Sequence, residues 1–381
     1  MNNKLFCLIT PQTNIGRIFR TVYDAGEISR QEISEKLGLS LPTIRQSINE
    51  LLDTGVICTN GYFESTGGRK ASVFSISPMS KVALGVELLK DSLQISAVNL
   101  LGEIIREQRY FLSFSNDDEY FRHFGDYVNS FVESLGVSGG SLLEVQISVQ
   151  GIVSQDGDTL VMGKVLGNSG MTANQFRKFI SLPCRLVNDT EASAFAELWS
   201  EPETVNAAYI MLNMKLGGAI IINGRVFNGR AYNGTVQNGG IIGHMRLVPG
   251  GKQCYCGRKG CFQAYCSAVN LEDSSGMGLD EFLRQVDLGN AECRKILDDY
   301  LSYLALGINN IRMLIECEFI LGGYLEERLS DKWLSVLVNK VNGEASFDTM
   351  TFQYRRGIHG SNAPSRGAAL MQINDFIMSI K

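Results

Sequence analysis

A histidine and three closely spaced cysteines carry the clearest chemistry in this sequence. They are His244, Cys254, Cys256 and Cys261, within the segment GHMRLVPGGKQCYCGRKGCFQ. One imidazole and three thiolates form the tetrahedral set that structural zinc sites use, and four protein ligands leave no position for a reactive water. Buried structural thiols are the alternative, but three cysteines this close together are denser than that explanation predicts. The spacing therefore predicts a structural Zn²⁺ ion.

Composition limits the classes of protein that this chain can belong to. Its 381 residues are too many for one ordinary domain, and 44% of them are hydrophobic and 20% charged. The formal net charge of −5 means that contact with nucleic acid must come from a local basic surface. Nine cysteines without a signal-peptide pattern predict a reducing cytoplasm. We expect no membrane span, because no apolar run reaches about 20 residues.

The first 78 residues predict a small DNA-binding domain. Helical spacing of apolar residues covers 14–26, 30–38 and 41–55, with Ser29 and Ser40 as helix caps and a capping box between Ser29 and Glu32. Two short helices joined by a glycine turn form a helix-turn-helix pattern. The outward residues of the third helix are hydrogen-bonding types suited to base edges and phosphates, namely Thr43, Arg45, Gln46 and Asn49.

The segment that follows the third helix alternates as a two-stranded hairpin, with Gly67 and Gly68 in its turn. Arg69 and Lys70 lie near the tip, where they predict a wing that contacts the minor groove or the DNA backbone. Through Pro78 there are eight Lys and Arg against seven Asp and Glu, so a helical protein-interaction domain is the alternative. The agreement of helix spacing, caps and wing favours DNA binding.

Beyond a boundary near Pro78, strands and helices alternate along the chain. Strand-like segments such as LLEVQISVQGIV and AAYIMLNMKLGGAIIING are separated by amphipathic helices such as DDEYFRHFGDYVNSFVESLG. This alternation predicts an α/β protein with a cleft between two halves, where ligands commonly bind.

Together these motifs resemble the ROK family of repressors, open reading frames and sugar kinases. The resemblance covers nearly the whole chain and rests on the GGR wing, NDTEA, IIING, the GH…CxCGxxGC element and ILGG. Within the family, the chain resembles the repressors of the N-acetylglucosamine and xylose type. The resemblance implies a winged helix-turn-helix (1–78) followed by a two-lobed, actin-like (ribonuclease H-like) domain of the sugar-kinase type (79–381). Lobe one would cover about 79–188 plus the C-terminal helix, and lobe two about 189–358.

Two departures from the kinases of this family predict that the chain has no kinase activity. The family's Asp-x-Gly-Gly-Thr phosphate loop reads Glu-Leu-Leu-Lys-Asp at 87–91, and its Gly-Thr-Gly loop reads Asn-Met-Lys at 213–215. Neither segment keeps the glycines and hydroxyl that cradle phosphates. Phosphoryl transfer depends on positioning and charge stabilisation, so loss of both loops should remove it.

The resemblance also implies an effector site. Asn188 and Asp189 match the family pair in which the aspartate takes the proton of a sugar hydroxyl, although a helix N-cap explains the same position equally well. His244 would ligate zinc and face the sugar through its other ring nitrogen. Three sugar-binding positions have changed: the glutamate two residues before Gly243 is Ile241, the one after the last zinc cysteine is Gln263, and Pro-Asn-Leu reads Lys-Val-Leu at 164–166.

The sequence therefore predicts a transcriptional regulator, most simply a repressor of carbohydrate genes. We expect it to bind a double-stranded DNA operator as a homodimer or homotetramer. Its effector would be a sugar or a sugar phosphate, since Lys164 and Lys215 could meet an anionic group, although solvated lysines explain them as well. One alternative is a sugar kinase fused to a DNA-binding head. Another is a regulator controlled by a partner protein.

Overall fold

A computed structural model describes residues 13–62, 72–227, 240–347 and 351–380. The chain divides into two compact units. Unit 1 comprises Met1–Ser148, Ala173–Arg185 and Ser365–Lys381, and unit 2 comprises Val149–Thr172 and Leu186–Pro364. None of the helices in the described ranges is long and apolar enough to cross a membrane. The domain and lobe boundaries expected at 78 and 188 remain predictions.

The N-terminal part of unit 1 contains three helices whose ends follow local sequence signals. Ser29 accepts a hydrogen bond from the backbone N–H of Glu32, and the Glu32 carboxylate accepts the N–H of Ser29 in return, which completes the predicted capping box. Gly26, with φ of 74°, ends the first helix and Gly38, with φ of 66°, ends the second. The helices are α1 (Asn14–Ala25), α2 (Arg30–Leu37) and α3 (Leu41–Asp53).

Three strands accompany these helices, one more than the two-stranded hairpin that the sequence predicts. They are β1 (Glu27–Ser29), β2 (Ile57–Tyr62) and β3 (Ser72–Ile76), in the order β1-β3-β2. β1 pairs antiparallel with β3, and its Ile28 is buried opposite Phe74. The extra strand forms because burying Ile28 places this short connection against the open edge of β3. The predicted turn at Gly67 and Gly68 lies outside the described residues.

Alternating strands and helices make up the rest of the chain. The strands are β4 (Val82–Leu88), β5 (Ser92–Asn99), β6 (Ile104–Phe111), β7 (Leu142–Val149), β8 (Ile152–Val153), β9 (Leu160–Met162), β10 (Cys184–Asn188), β11 (Ala207–Leu212), β12 (Leu216–Ile222), β13 (Arg225–Phe227), β14 (Glu318–Gly322) and β15 (Tyr354–Arg356). The helices are α4 (Asp118–Ser134), α5 (Ala173–Arg177), α6 (Asp189–Ser200), α7 (Gln263–Cys266), α8 (Ala268–Ser275), α9 (Leu279–Leu288), α10 (Ala291–Arg312), α11 (Asp331–Gly343) and α12 (Ala363–Ser379).

Two five-stranded sheets share one pattern of connection. The first has the order β10-β7-β4-β5-β6 and the second the order β13-β12-β11-β14-β15. In each, three consecutive strands pair antiparallel, and the first of them also pairs parallel with a later strand, β7 or β14. The chain therefore contains two sheets of one connection plan, whereas the sequence predicts two α/β halves without showing that they share it.

Close backbone packing inside unit 1 requires a glycine in the central strand. A Cβ atom at Gly85 of β4 would lie 1.9 Å from the carbonyl oxygen of Ser365 and 2.6 Å from the backbone nitrogen of Ala369, both in α12. Ser365 also bonds to the sheet, because its hydroxyl lies 2.8 Å from the hydroxyl of Ser96 in β5. The absence of a side chain at position 85 thus lets α12 lie directly on the sheet.

Candidate metal cluster and adjoining cavity

The structure brings the histidine and the three cysteines together in unit 2. Their ligand atoms all lie within 4.8 Å of one another. Nδ1 of His244 lies 3.6 Å from Sγ of Cys254, and Sγ of Cys256 lies 3.7 Å from Sγ of Cys261. A tetrahedral zinc ion with ordinary bond lengths requires edges of about 3.6 Å between nitrogen and sulfur and about 3.8 Å between two sulfurs. The donor set and its spacing therefore fit a zinc ion.

Tight turns hold the three thiols in this arrangement. The N–H of Cys254 donates to the carbonyl oxygen of Arg258 (2.8 Å), and the N–H of Gly257 donates back to the carbonyl oxygen of Cys254 (2.9 Å). Gly257 has a φ of 92° and Gly260 a φ of 83°, a conformation that side chains disfavour. A Cβ atom at Gly260 would also lie 1.8 Å from the carbonyl oxygen of Val248. The glycines are thus part of the geometry that gathers the sulfurs.

The fourth donor, His244, ends a short 3-10 turn that begins at Ile242. Gly243 lets this turn pack on β12, because a Cβ there would lie 2.5 Å from the carbonyl oxygen of Leu216. Burial lowers the pKa of His244, and the positive charge of Lys164 lowers it further. The imidazole is therefore neutral near pH 7, and neutral imidazole is the form that ligates metals.

A cavity of about 160 Å³ adjoins the cluster within unit 2. His244 and Cys256 belong to both the cluster and the cavity wall. The ring of Tyr255 lies 5.2 Å from that of His244, edge to face. The other polar and charged side chains that line the cavity are Gln150, Lys164, Asn188, Asp189, Thr190, Glu191 and Lys215.

The strand-to-helix junction at Asn188 supplies two of these side chains. Its Oδ1 accepts from the backbone N–H groups of Thr190 and Glu191, each at 3.0 Å, so Asn188 is the N-cap of α6. Its Nδ2 donates to the carbonyl oxygen of Gly151 at 2.8 Å. Asp189 is therefore not the cap. Its carboxyl is buried on the cavity wall, and burial raises its pKa to about 7, against the opposing effect of the Thr190 N–H.

Gln263, the fourth residue predicted to bind the effector, occupies a different position. It begins α7, is 4% exposed and is not among the residues that line the cavity. Its Oε1 has no hydrogen-bond donor within the described ranges. Asn188, Asp189 and His244 are brought together around one cavity, whereas Gln263 packs behind Gly243.

The two segments predicted to replace the kinase phosphate loops, 87–91 and 213–215, are held by contacts within the fold. Glu87 is buried within β4, and the N–H of Leu89 donates to the carbonyl oxygen of Ser92 in the turn to β5. Oδ1 of Asn213 accepts the N–H of Tyr324 at 2.5 Å. If residue 323 carried a Cβ atom, that atom would lie 2.7 Å from the same Oδ1 of Asn213. The Asn213 side chain therefore fills the space beside the Gly322-Gly323 turn.

The helix that is predicted to contact DNA bases, α3, presents three polar side chains to solvent. Arg45, Gln46 and Asn49 are exposed, whereas Ile44 and Ile48 are buried on the opposite face. Thr43 is half-buried and its hydroxyl lies 2.8 Å from that of Ser40, the N-cap residue. Arg69 and Lys70 lie outside the described residues, so the wing contacts remain predictions.

Among the cavity side chains that sequence reasoning missed is Tyr255. It lies between two predicted zinc ligands, and the sequence offers no sign that its ring lies close to both His244 and Lys215. The ammonium nitrogen of Lys215 lies 5.5 Å from the centre of that ring, within the range of a cation–π contact. The position between the cysteines is the only signal that could have drawn attention to it.

Comparison with known proteins defines the class to which this fold and site belong. Residues 83–374 match the ROK family, and residues 13–57 match a winged helix-turn-helix DNA-binding domain. The molecule thus combines a winged helix-turn-helix with the actin-like domain of sugar-kinase type. The chain belongs to the ROK family, and the predicted family and fold are confirmed.

Two relatives that match most of this chain carry the names of transcriptional regulators. The chain is 22% identical over 355 residues to a xylose repressor of Caldicellulosiruptor bescii, a match that covers 87% of this chain and 88% of the relative. It is 24% identical over 267 residues to the DNA-binding transcriptional dual regulator NagC of Escherichia coli, covering 69% of this chain and 64% of NagC.

Solved structures show the same fold with and without the N-terminal domain. A ROK family transcriptional regulator, a homolog of the E. coli MLC protein, superimposes with a TM-score of 0.77 at 19% identity over 96% of this chain and 97% of its own. A ROK family glucokinase from Streptomyces griseus, in complex with glucose and AMPPNP, gives a TM-score of 0.65 at 19% identity over 77% of this chain and 99% of its own.

Proposed function

We propose that this protein is a sequence-specific DNA-binding transcriptional regulator, a repressor of carbohydrate genes whose DNA affinity a sugar or sugar derivative controls. The observation that carries the proposal is the presence of two separate binding features in one chain. α3 exposes Arg45, Gln46 and Asn49, and unit 2 holds a cavity with Asn188 and Asp189 on its wall. The repressor relatives, which match most of the chain, support the same combination.

DNA recognition is assigned to the first turns of α3. Arg45, Gln46 and Asn49 carry donors and acceptors that match base edges in the major groove, and Thr43 and Ser40, at the start of the helix, would approach bases or phosphates. Arg69 and Lys70 would contact the minor groove or backbone. A homodimer, or a dimer of dimers, would place two such helices on successive half-sites of a palindromic operator.

A structural zinc ion is assigned to His244, Cys254, Cys256 and Cys261. Four protein donors would close its coordination, so the ion would stabilise the loop 244–261 and orient the imidazole rather than activate water. Because His244 also lines the cavity, the ion would hold part of the effector site in place.

The effector is assigned to the cavity beside this metal cluster. The buried Asp189 carboxyl would accept a hydrogen bond from a ligand hydroxyl, as a neutral or an ionised acid, and Asn188 would stay committed to capping α6. A ligand that binds one conformation of the large domain more tightly than another would change the population of the DNA-binding form by that difference in affinity.

We further propose that the protein lacks kinase activity. An ATP polyphosphate needs backbone N–H groups presented by glycine-rich loops. In this chain one such segment is a leucine pair beside the buried Glu87, and in the other the Asn213 side chain bonds the backbone of Tyr324. The glucokinase likeness favours the alternative of a kinase fused to a DNA-binding head, but it extends to the fold alone.

One pair of experiments tests this function. Operator duplexes are selected from a random library with the full chain, and their dissociation constants are measured by fluorescence anisotropy with and without each of a panel of sugars and sugar derivatives. We expect a selected motif with two related half-sites and a compound that shifts the dissociation constant. A coupled ADP-release assay with the same sugars should show no turnover above that of the Asp189→Asn variant. Turnover above that level would contradict the proposal, as would failure to select any DNA motif.

A further inference from the structure

Two lysines line the cavity, and neither has a carboxylate partner within the described ranges. Nζ of Lys164 donates to the carbonyl oxygen of Cys256 at 3.0 Å. Nζ of Lys215 lies 5.5 Å from the ring centre of Tyr255. An ammonium group carries three donors, so a single carbonyl and an aromatic ring leave most of this capacity unused.

Several other cations of unit 2 pair with carboxylates. Arg355 lies 2.8 Å from Glu197, and Arg356 lies 2.9 Å from Glu326. Lys340 likewise lies 2.9 Å from Asp298. Lys164 and Lys215 face the same cavity without such a partner among the described residues. Their ammonium groups can therefore attract an anion that enters this concave site.

The acids of the cavity are placed differently from the lysines. Asp189 and Glu191 are buried in the first turn of α6, where Asp189 also accepts the N–H of Thr190. Lys164 is exposed, and Lys215 is half-buried beside Tyr255. The cavity thus offers a buried carboxyl suited to hydroxyl groups and accessible ammonium groups suited to an anion.

We propose that the effector is a carbohydrate that carries a phosphate ester or a carboxylate, and that Lys164 and Lys215 bind this anionic group. This inference rests on the proposed function and makes its effector more specific. Lysine binds phosphate and carboxylate groups as a compact point charge. Asp189 would bind a hydroxyl of the same ligand, and Tyr255 would lie against its apolar face.

The test uses the full chain and matched sets of ligands. Each set contains a neutral sugar (xylose, glucose or N-acetylglucosamine), its phosphate ester and its sugar acid, with inorganic phosphate as a separate probe. Affinities are measured by isothermal titration calorimetry. We expect a charged member of one set to bind at least about tenfold more tightly than its neutral parent, and the advantage to shrink as salt increases. The phosphate and acid arms identify which anion is used.

Variants then locate the anion. Lys215→Met and Lys164→Met should each weaken the charged ligand by about tenfold or more and change the neutral parent by less than about twofold. Lys252→Met is the matched control. Its ammonium nitrogen also lies 5.5 Å from a tyrosine ring, that of Tyr265, but it bonds Asn270 and does not line the cavity. Unchanged operator affinity without sugar would show that each variant is folded.

Three outcomes would overturn the inference. Neutral sugars that bind as tightly as their charged derivatives, and that change operator affinity, would contradict the anion site but not the proposed regulatory function. Charged ligands that bind equally well to the wild type and both lysine variants would do the same. If no compound of any set binds or changes operator affinity, both the anion site and the sugar-controlled function are contradicted.

Discussion

Nδ1 of His244 lies 3.6 Å from Sγ of Cys254, and the same imidazole forms part of the cavity wall. One side chain therefore belongs to both the candidate metal cluster and the candidate effector site. A metal that fixes the ring through Nδ1 leaves Nε2 for a ligand. Replacing one of the cysteine ligands should consequently change the binding of an effector in the cavity.

Replacement of one thiol should remove the metal. In Cys261→Ser, we expect the zinc content of the purified protein to fall from about one ion per chain to near zero, with a lower melting temperature and loss of effector binding, because structural zinc contributes folding free energy. Elemental analysis and thermal denaturation measure these effects. Cys58→Ser is the control, since this half-buried cysteine lies in β2 beside Ser75. Full zinc content in Cys261→Ser would contradict the ligand assignment.

The buried carboxyl of Asp189 should make stability depend on pH. Burial raises its pKa in the folded protein to about 7, from an ordinary value of 3.8. As the pH rises from about 4 to about 7, the unfolded chain releases this proton and the folded chain keeps it, so the contribution of Asp189 to stability falls across that window. Asp189→Asn, which stays neutral, should match the wild type near pH 4. It should become more stable than the wild type by up to about 4 kcal/mol near pH 8.

Urea denaturation midpoints of both proteins across this pH range test the expectation. A stability difference that is constant with pH would contradict the raised pKa. A difference of the opposite sign, with the wild type gaining stability as the pH rises, would show instead that the Asp189 carboxylate is stabilised in the fold.

The exposed face of α3 should determine which DNA sequence is bound. Arg45→Ala should weaken binding to the selected operator by about tenfold or more and relax the preference at one base position in each half-site. Arg284→Ala serves as a control, because Arg284 lies on α9 in an exposed ion pair with Glu281. Anisotropy titrations against operators with single base changes measure both effects. Equal losses on every sequence would mean that Arg45 contacts phosphates only.

A buried carboxylate in unit 2 should be important for stability. Glu197 is fully buried, pairs with Arg355 at 2.8 Å and accepts the backbone N–H groups of Ile358 and His359. Glu197→Gln should destabilise the protein by about 3 kcal/mol, because it removes the buried charge that faces the Arg355 guanidinium and leaves only Glu318, 3.5 Å away, as its partner. The matched change Glu281→Gln, in an exposed pair, should leave the urea midpoint unchanged. Similar midpoints for the two variants would contradict this role of Glu197.

Local signals explain why much of the molecule was predictable. The capping box between Ser29 and Glu32, the glycine end of α2 and the spacing of the cysteines each involve residues that are close along the chain. Such features depend on backbone conformation and hydrogen bonds that the sequence alone specifies. They located the helix α3 and the group of His244 with three cysteines correctly.

Features that depend on distant contacts were not predictable. β1 exists because Ile28 packs opposite Phe74, which follows it by more than forty residues. Gln263 lies behind Gly243 rather than on the cavity wall, and Tyr255 bridges His244 and Lys215. These placements follow from tertiary packing, which neither periodicity nor motif spacing encodes.

The most direct test of the account is the effect of a cavity ligand on DNA affinity in a variant that changes only the cavity. The dissociation constant for the selected operator is measured by anisotropy for the wild type and for Asp189→Asn, each with and without the compound that binds the wild type. The account predicts equal operator affinity for the two proteins without ligand, and a ligand-dependent change in the wild type that is absent from the variant. An equal response of both proteins to the ligand would contradict the claim that this cavity controls DNA binding.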